Sequence, residues 1–164
     1  MSNIELWGWD KKPRTMLRYV KVGDIVCFEI DRSGNKFGYG QLIARLTGGF
    51  VFKGLNITHD HADSITVEEL QKAESLGSMY LLDVYGTLDN KKYLHDGDWR
   101  IIGHEKSFRL SEKDINTVFF EYGANGVKKK VSLLNEHTPI TDKEAENCIP
   151  ATPVSGDQAK VWYL

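Results

Sequence analysis

Residue type and spacing point most directly to chemistry in the segment Thr58-His59-Asp60-His61-Ala62-Asp63. Imidazoles two positions apart on an extended stretch reach the same side and can share one metal ion, and a nearby carboxylate can hold a second. His95, His104 or His137 could complete a mononuclear site with them. The competing reading is a solvated polar loop leading into a helix, because a short motif without its structural context is weak evidence. We take the loop reading, and expect neither a metal nor a cofactor.

Other routes to catalysis have less behind them. The chain contains no Gly-x-Ser-x-Gly elbow, and Cys27 and Cys148 match no CxxC or Cys/His ligand spacing. Cys27, inside an apolar run, reads as a core residue. Gly38 and Gly40 form a GxG without the third glycine and following helix that a phosphate cradle needs. Binding is therefore expected in place of catalysis.

Charge is nearly balanced, 21 Lys plus Arg against 23 Asp plus Glu, so no attraction of the whole chain to nucleic acid is implied. Its distribution is uneven. Lys11, Lys12, Arg14, Arg18 and Lys21 are opposed only by Asp10, and Lys128, Lys129 and Lys130 form a second basic run. Asp60, Asp63, Glu68, Glu69 and Glu74 make an acidic stretch relieved only by Lys72; Glu136, Asp142, Glu144 and Glu146 make another around Lys143. The lysine triplet admits two uses, contact with nucleic acid or protection of an edge strand from self-pairing. Trp7 and Trp9 are expected to fold back over a sheet edge or core end, as large aromatics usually do.

These groups must be held by a strand-rich frame. DIVCFEID over 24–31, KFGYGQLIARL and FVFKGLNI read as an antiparallel meander, with a turn at Ser33-Gly34-Asn35 and a bulge near Gly38 and Gly40. Thr66 and Glu69 form a capping box that opens a helix with Gly77 as its stop, and Thr141 with Glu144 opens a second short helix. MYLLDVYGTL, WRIIG, NTVFFEY and VKKKVSLL read as strands, the last two joined at Asn125-Gly126, and AKVWYL as a closing strand. With 41% apolar and 27% charged residues the chain can bury one core. The expectation is one α+β domain over residues 1–164, predominantly antiparallel β, as a twisted sheet or partly closed β-barrel with two short helices. No run approaches a membrane span and the first residues do not read as a secretory leader, so a bacterial cytoplasmic location is expected.

Within this frame, Gly23-Asp24 before an apolar strand, Tyr39-Gly40-Gln41-Leu42 in the next, and Trp99-x-Ile-Ile-Gly103 further on resemble bacterial immunity protein family 26. HxHxD is similar to the opening of a metallo-β-lactamase-type site, but Ser64 stands where that pattern carries a histidine. The immunity resemblance implies a dedicated inhibitor in polymorphic toxin or contact-dependent growth inhibition systems, whose partner is a cognate toxin domain and which needs no direct nucleic acid or membrane contact. Gly23, Asp24, Tyr39, Gly40, Trp99 and Gly103 would be its structural residues, and it implies no catalytic ones. If the toxin is a nuclease, its basic site suits an acidic surface, and Asp60, Asp63, Glu68 and Glu69 are the expected interface. A metal-dependent hydrolase on His59, His61 and Asp63, or a nucleic-acid adaptor using Lys128 to Lys130, are the alternatives.

Overall fold

A computed structural model describes residues 3–31, 34–77, 79–89 and 97–163. The first element is a short strand, β1 (Ile4–Leu6). The meander follows as β2 (Asp24–Glu29), β3 (Phe37–Leu46) and β4 (Gly49–His59). The β3–β4 register shifts between Gly38 and Tyr39 and again between Leu42 and Ala44, which is the bulging the glycines foretold. Gly34 of the first turn has φ +75°, while Ser33 lies outside the described residues.

The Thr66–Glu69 capping box forms as expected and opens α1 (Val67–Lys72). The helix ends well before Gly77, because the next residues bond to β4: Asn56 N–H donates to Glu74 O and Leu76 N–H to Gly54 O. MYLLDVYGTL divides into β5 (Tyr80–Leu82) and α2 (Val84–Leu88), since Asp83 accepts the Gly86 N–H and caps a helix where a strand was expected. WRIIG lies in β6 (Trp99–Glu105). Ser111 caps the unanticipated α3 (Glu112–Thr117) by accepting from Asp114 N–H. The Asn125-Gly126 hairpin joins β7 (Phe119–Ala124) to β8 (Val127–Ser132), and β9 (His137–Ile140) adds a strand the sequence did not signal.

The second capping box opens α4 (Asp142–Ala145), followed by β10 (Ile149–Pro150). AKVWYL is not a strand. A third box, Ser155 with Gln158, starts α5 (Gly156–Ala159), and Val161–Tyr163 continues as a 3-10 turn. Among the described residues five short α-helices thus stand where two were expected.

The first sheet has the order β1-β6-β2-β3-β4-β5 and the second β10-β7-β8-β9. All pairings between these strands are antiparallel except β10 with β7. The sheets do not close on themselves, so the twisted-sheet form of the expectation holds and the barrel form does not. Apolar burial falls into three clusters. Alternate residues of β2 explain why: Val26 and Phe28 pack with Leu42, Phe52 and Trp99, whereas Ile25 and Cys27 pack with Phe37, Tyr39 and Ile102. Both faces of the first sheet are therefore covered, and its strands are apolar on both sides. The third cluster joins Ile43, Val51 and Leu81 to Phe120 and Val131 of the second sheet.

Candidate functional site

The motif residues meet in the first sheet and fix its geometry. Gly23 has φ +100°, and a Cβ there would sit 2.8 Å from Glu105 O, so only glycine makes this approach without strain. Its N–H donates to Leu42 O, and its carbonyl accepts from Glu105 N–H and from the Gln41 amide. Asp24, 2% exposed, accepts the Lys21 N–H at 2.8 Å and faces His104 Nδ1 at 2.8 Å. Burial raises its pKa above the usual carboxylate value, against the lowering effect of the Lys21 N–H and His104. A Cβ on Gly40 would collide with the Phe52 ring, and one on Gly103 with the Glu5 carbonyl of β1. Trp99 stacks on Phe28 with ring centroids 4.3 Å apart.

Tyr39 links this scaffold to the HDHAD loop. Fully buried on β3, it donates its hydroxyl to Ala62 O at 2.7 Å, and burial raises its pKa. Tyr163 in turn donates to Tyr39 O and Leu55 O, at 2.9 and 2.6 Å. The loop is thus hung from a side chain that belongs to the core.

The four acidic residues expected at the interface occupy this loop and the start of α1, and their roles differ. Asp60 and Glu68 are exposed; Glu68 pairs with Lys72 one turn on, at 2.9 Å. Asp63 is exposed but accepts the Trp9 N–H at 2.8 Å. Glu69 is occupied, closing the capping box with Thr66 and pairing with His59 Nε2 at 2.9 Å. Asp60 and Glu68 are therefore the carboxylates most available to a partner, while Asp63 and Glu69 also hold the loop in place.

The same contacts occupy other histidines of the candidate metal set. His59 faces Glu69, His104 faces Asp24, and His137 faces Asn135. His95 lies outside the described residues. Among the described residues no three His, Cys, Asp or Glu side chains converge as ligands. The lysine triplet does not act as one cationic face either. Lys128 pairs with Glu121 at 3.2 Å and Lys130 lies over the Phe119 ring at 4.4 Å. Nor does it guard an edge, because β8 is flanked by β7 and β9.

Trp7 and Trp9 do fold back, one to each side of β6. Trp7 joins the Phe28 cluster and donates its indole N–H to Ile101 O, while Trp9 joins the Tyr39 cluster and packs against Phe37. Arg100, buried, donates to Trp9 O and stacks under the Trp9 ring at 4.3 Å. Sequence reading missed this arginine, although a charge between Trp99 and Ile101 in an apolar strand was its signal. It also missed Asp89, which receives Arg14 at 2.6 Å and the Leu17 N–H at 2.7 Å. Nothing local in the sequence marks that pairing.

No helix among the described residues is long and apolar enough to cross a membrane. A family model described as Immunity protein 26 matches residues 21–132, more than half of the chain. No curated protein and no solved structure matches it.

Proposed function

The chain belongs to the immunity protein 26 family, and from that premise we propose that it captures a cognate toxin domain in the bacterial cytoplasm and neutralises it by binding, without catalysis. The observation that carries the reading is the acidic loop. It lies inside the matched segment, is fastened by Tyr39 to the motif scaffold, and offers Asp60 and Glu68 to solvent. Asp63 and Glu69 complete the same acidic edge while anchoring it. A pre-set acidic surface speeds capture of a basic partner and costs little ordering on association. A nuclease, whose substrate site is basic, suits it, and toxins of this kind act between competing bacteria, as in contact-dependent growth inhibition.

The test is coexpression with the toxin domain encoded beside this chain, followed by copurification and growth rescue. Asp60→Lys with Glu68→Lys is the informative double variant, because neither side chain holds the loop. We expect toxin affinity to fall by about 100-fold and to depend less on salt, as for two charges facing an oppositely charged surface. An unchanged affinity and salt dependence removes the acidic edge from the interface.

A further inference from the structure

The strap from Lys11 to Val22 carries a second surface. Half of the large apolar side chains exposed among the described residues lie there: Met16, Leu17, Tyr19 at 54% and Val22. Tyr85, 62% exposed, lines with Leu17 a cleft of about 450 Å³ beside them. Such clustering on a small protein marks an interaction site, whereas single exposed apolar residues do not.

Positive charge surrounds these residues. Lys12, Arg18 and Lys21 border a concavity of about 220 Å³ together with Trp7 and Tyr19. Lys12 lies 4.2 Å over the Trp7 ring and Arg18 lies 4.9 Å over Tyr19, so the cations are held against aromatic faces. Among the described residues none of the three pairs with a carboxylate. Asp24, in the same wall, accepts the Lys21 N–H and faces His104, and its carboxylate opposes part of the Lys21 charge, leaving Lys12 and Arg18 as the freer cations. The Thr15 hydroxyl, also of this wall, is buried without a hydrogen-bond partner.

The strap is pinned at its centre. Asp89 holds Arg14 and the Leu17 N–H, and Thr15 N–H donates to Leu88 O. Little ordering entropy remains to be lost when a partner docks.

We propose that this platform is a second contact with the toxin, one that receives an acidic ridge bordered by apolar side chains. The inference rests on the toxin-binding reading above. A carboxylate between Lys12, Arg18 and Lys21 meets three cations, none of them in a salt bridge among the described residues, and the apolar border of the ridge covers Met16, Leu17 and Tyr19. With the acidic edge of Asp60 and Glu68 facing a basic region of the same toxin, contacts of opposite sign fix one docking orientation.

The experiment measures binding of the full chain to the toxin domain encoded beside it, by calorimetry at several salt concentrations. The variants are Lys12→Glu with Arg18→Glu, and separately Tyr19→Ser. All three side chains are exposed, so thermal melts should match wild type. The expected result is about 100-fold weaker binding for the charge reversal and about 10-fold for Tyr19→Ser, the range for charged and aromatic contacts at an interface. If wild type binds the toxin and both variants bind equally well, this inference falls and the toxin-binding reading stands. If wild type binds no toxin, both fall. If the charge reversal abolishes binding to a labelled DNA duplex while toxin affinity is untouched, the platform serves nucleic acid and the inference is overturned.

Discussion

Replacing Tyr39 by phenylalanine tests how the acidic loop is held. The ring stays, so no cavity opens, and only the hydroxyl that donates to Ala62 O at 2.7 Å is lost. Ala62 is itself buried, at 7% exposure, so its carbonyl has little access to replacement water. A buried acceptor left unpaired in this way costs about 1–2 kcal/mol. For a chain of this size each kcal/mol lowers the melting temperature by about 2–4 °C, so Tyr39→Phe should melt about 2–8 °C below wild type. The effect should also be local. His59–Glu69 and Trp9–Asp63 still hold the loop, so hydrogen exchange should rise at residues 60–65 while β2 and β6 keep their protection. Toxin affinity should fall by less than about tenfold, the equivalent of 1.4 kcal/mol, because the loop loosens without leaving. Thermal denaturation with exchange mass spectrometry decides the matter. A melting temperature within about 1 °C of wild type and unchanged exchange in the loop would refute the tether.

Two further substitutions probe the scaffold. Gly103→Ala should cost about 1–3 kcal/mol and expose β1 to exchange, because the new methyl meets the Glu5 carbonyl and must push β1 from β6; retained protection of Ile4–Leu6 would contradict this. Asp24 binds its proton more tightly folded than unfolded. Between its ordinary value of 3.8 and the raised folded value the folded state therefore holds the extra proton, and stability falls as pH rises through that window. Asp24→Asn keeps an acceptor oxygen for the Lys21 N–H, turns an amide N–H toward His104, and does not titrate. Urea midpoints taken at about pH 3.5 and about pH 6 should thus fall more for wild type than for the variant. A steeper fall in the variant would reverse the assigned sign.

Local signals carried most of the frame and little of what connects it. The meander was legible because β2, β3 and β4 follow one another with turn residues between them, so each strand's partner is its neighbour in sequence. Two capping boxes were legible for the same reason, being complete within four residues. The Ser155–Gln158 box was equally local, but the aromatic residues after it suggested a strand. Tyr163 shows why that reading failed: its hydroxyl is used by carbonyls of β3 and β4, a tertiary contact that overrides strand propensity. At the site, the acidic stretch was visible as composition, but which acids were free was not. Glu69 is claimed by a histidine ten positions away and Asp63 by the backbone of Trp9, more than fifty positions away. The basic run near the N-terminus was visible too, but that Arg14 is held in a salt bridge, apart from Lys12 and Arg18, depends on Asp89, 75 positions away.

Where the motif residues lie also constrains what they can do for binding. Asp24, Tyr39 and Trp99 are at most 2% exposed, so none of them can touch a toxin to any useful extent. Their contribution to recognition must pass through what they position. Asp24 bonds the Lys21 backbone, and Lys21 borders the basic platform; Tyr39 bonds Ala62, which sits between Asp60 and Asp63. The two surfaces of opposite charge are therefore fastened to one buried scaffold and held in a fixed relation to each other. The matched family segment begins at Lys21, so it includes the scaffold and the acidic edge but leaves Lys12 and Arg18 outside. A scaffold of this kind permits the exposed residues to change without disturbing the fold, because surface substitutions away from caps and buried contacts cost little stability. Exchange of Lys12 and Arg18 between members of this family should accordingly alter which toxin is bound while leaving the melting temperature nearly unchanged.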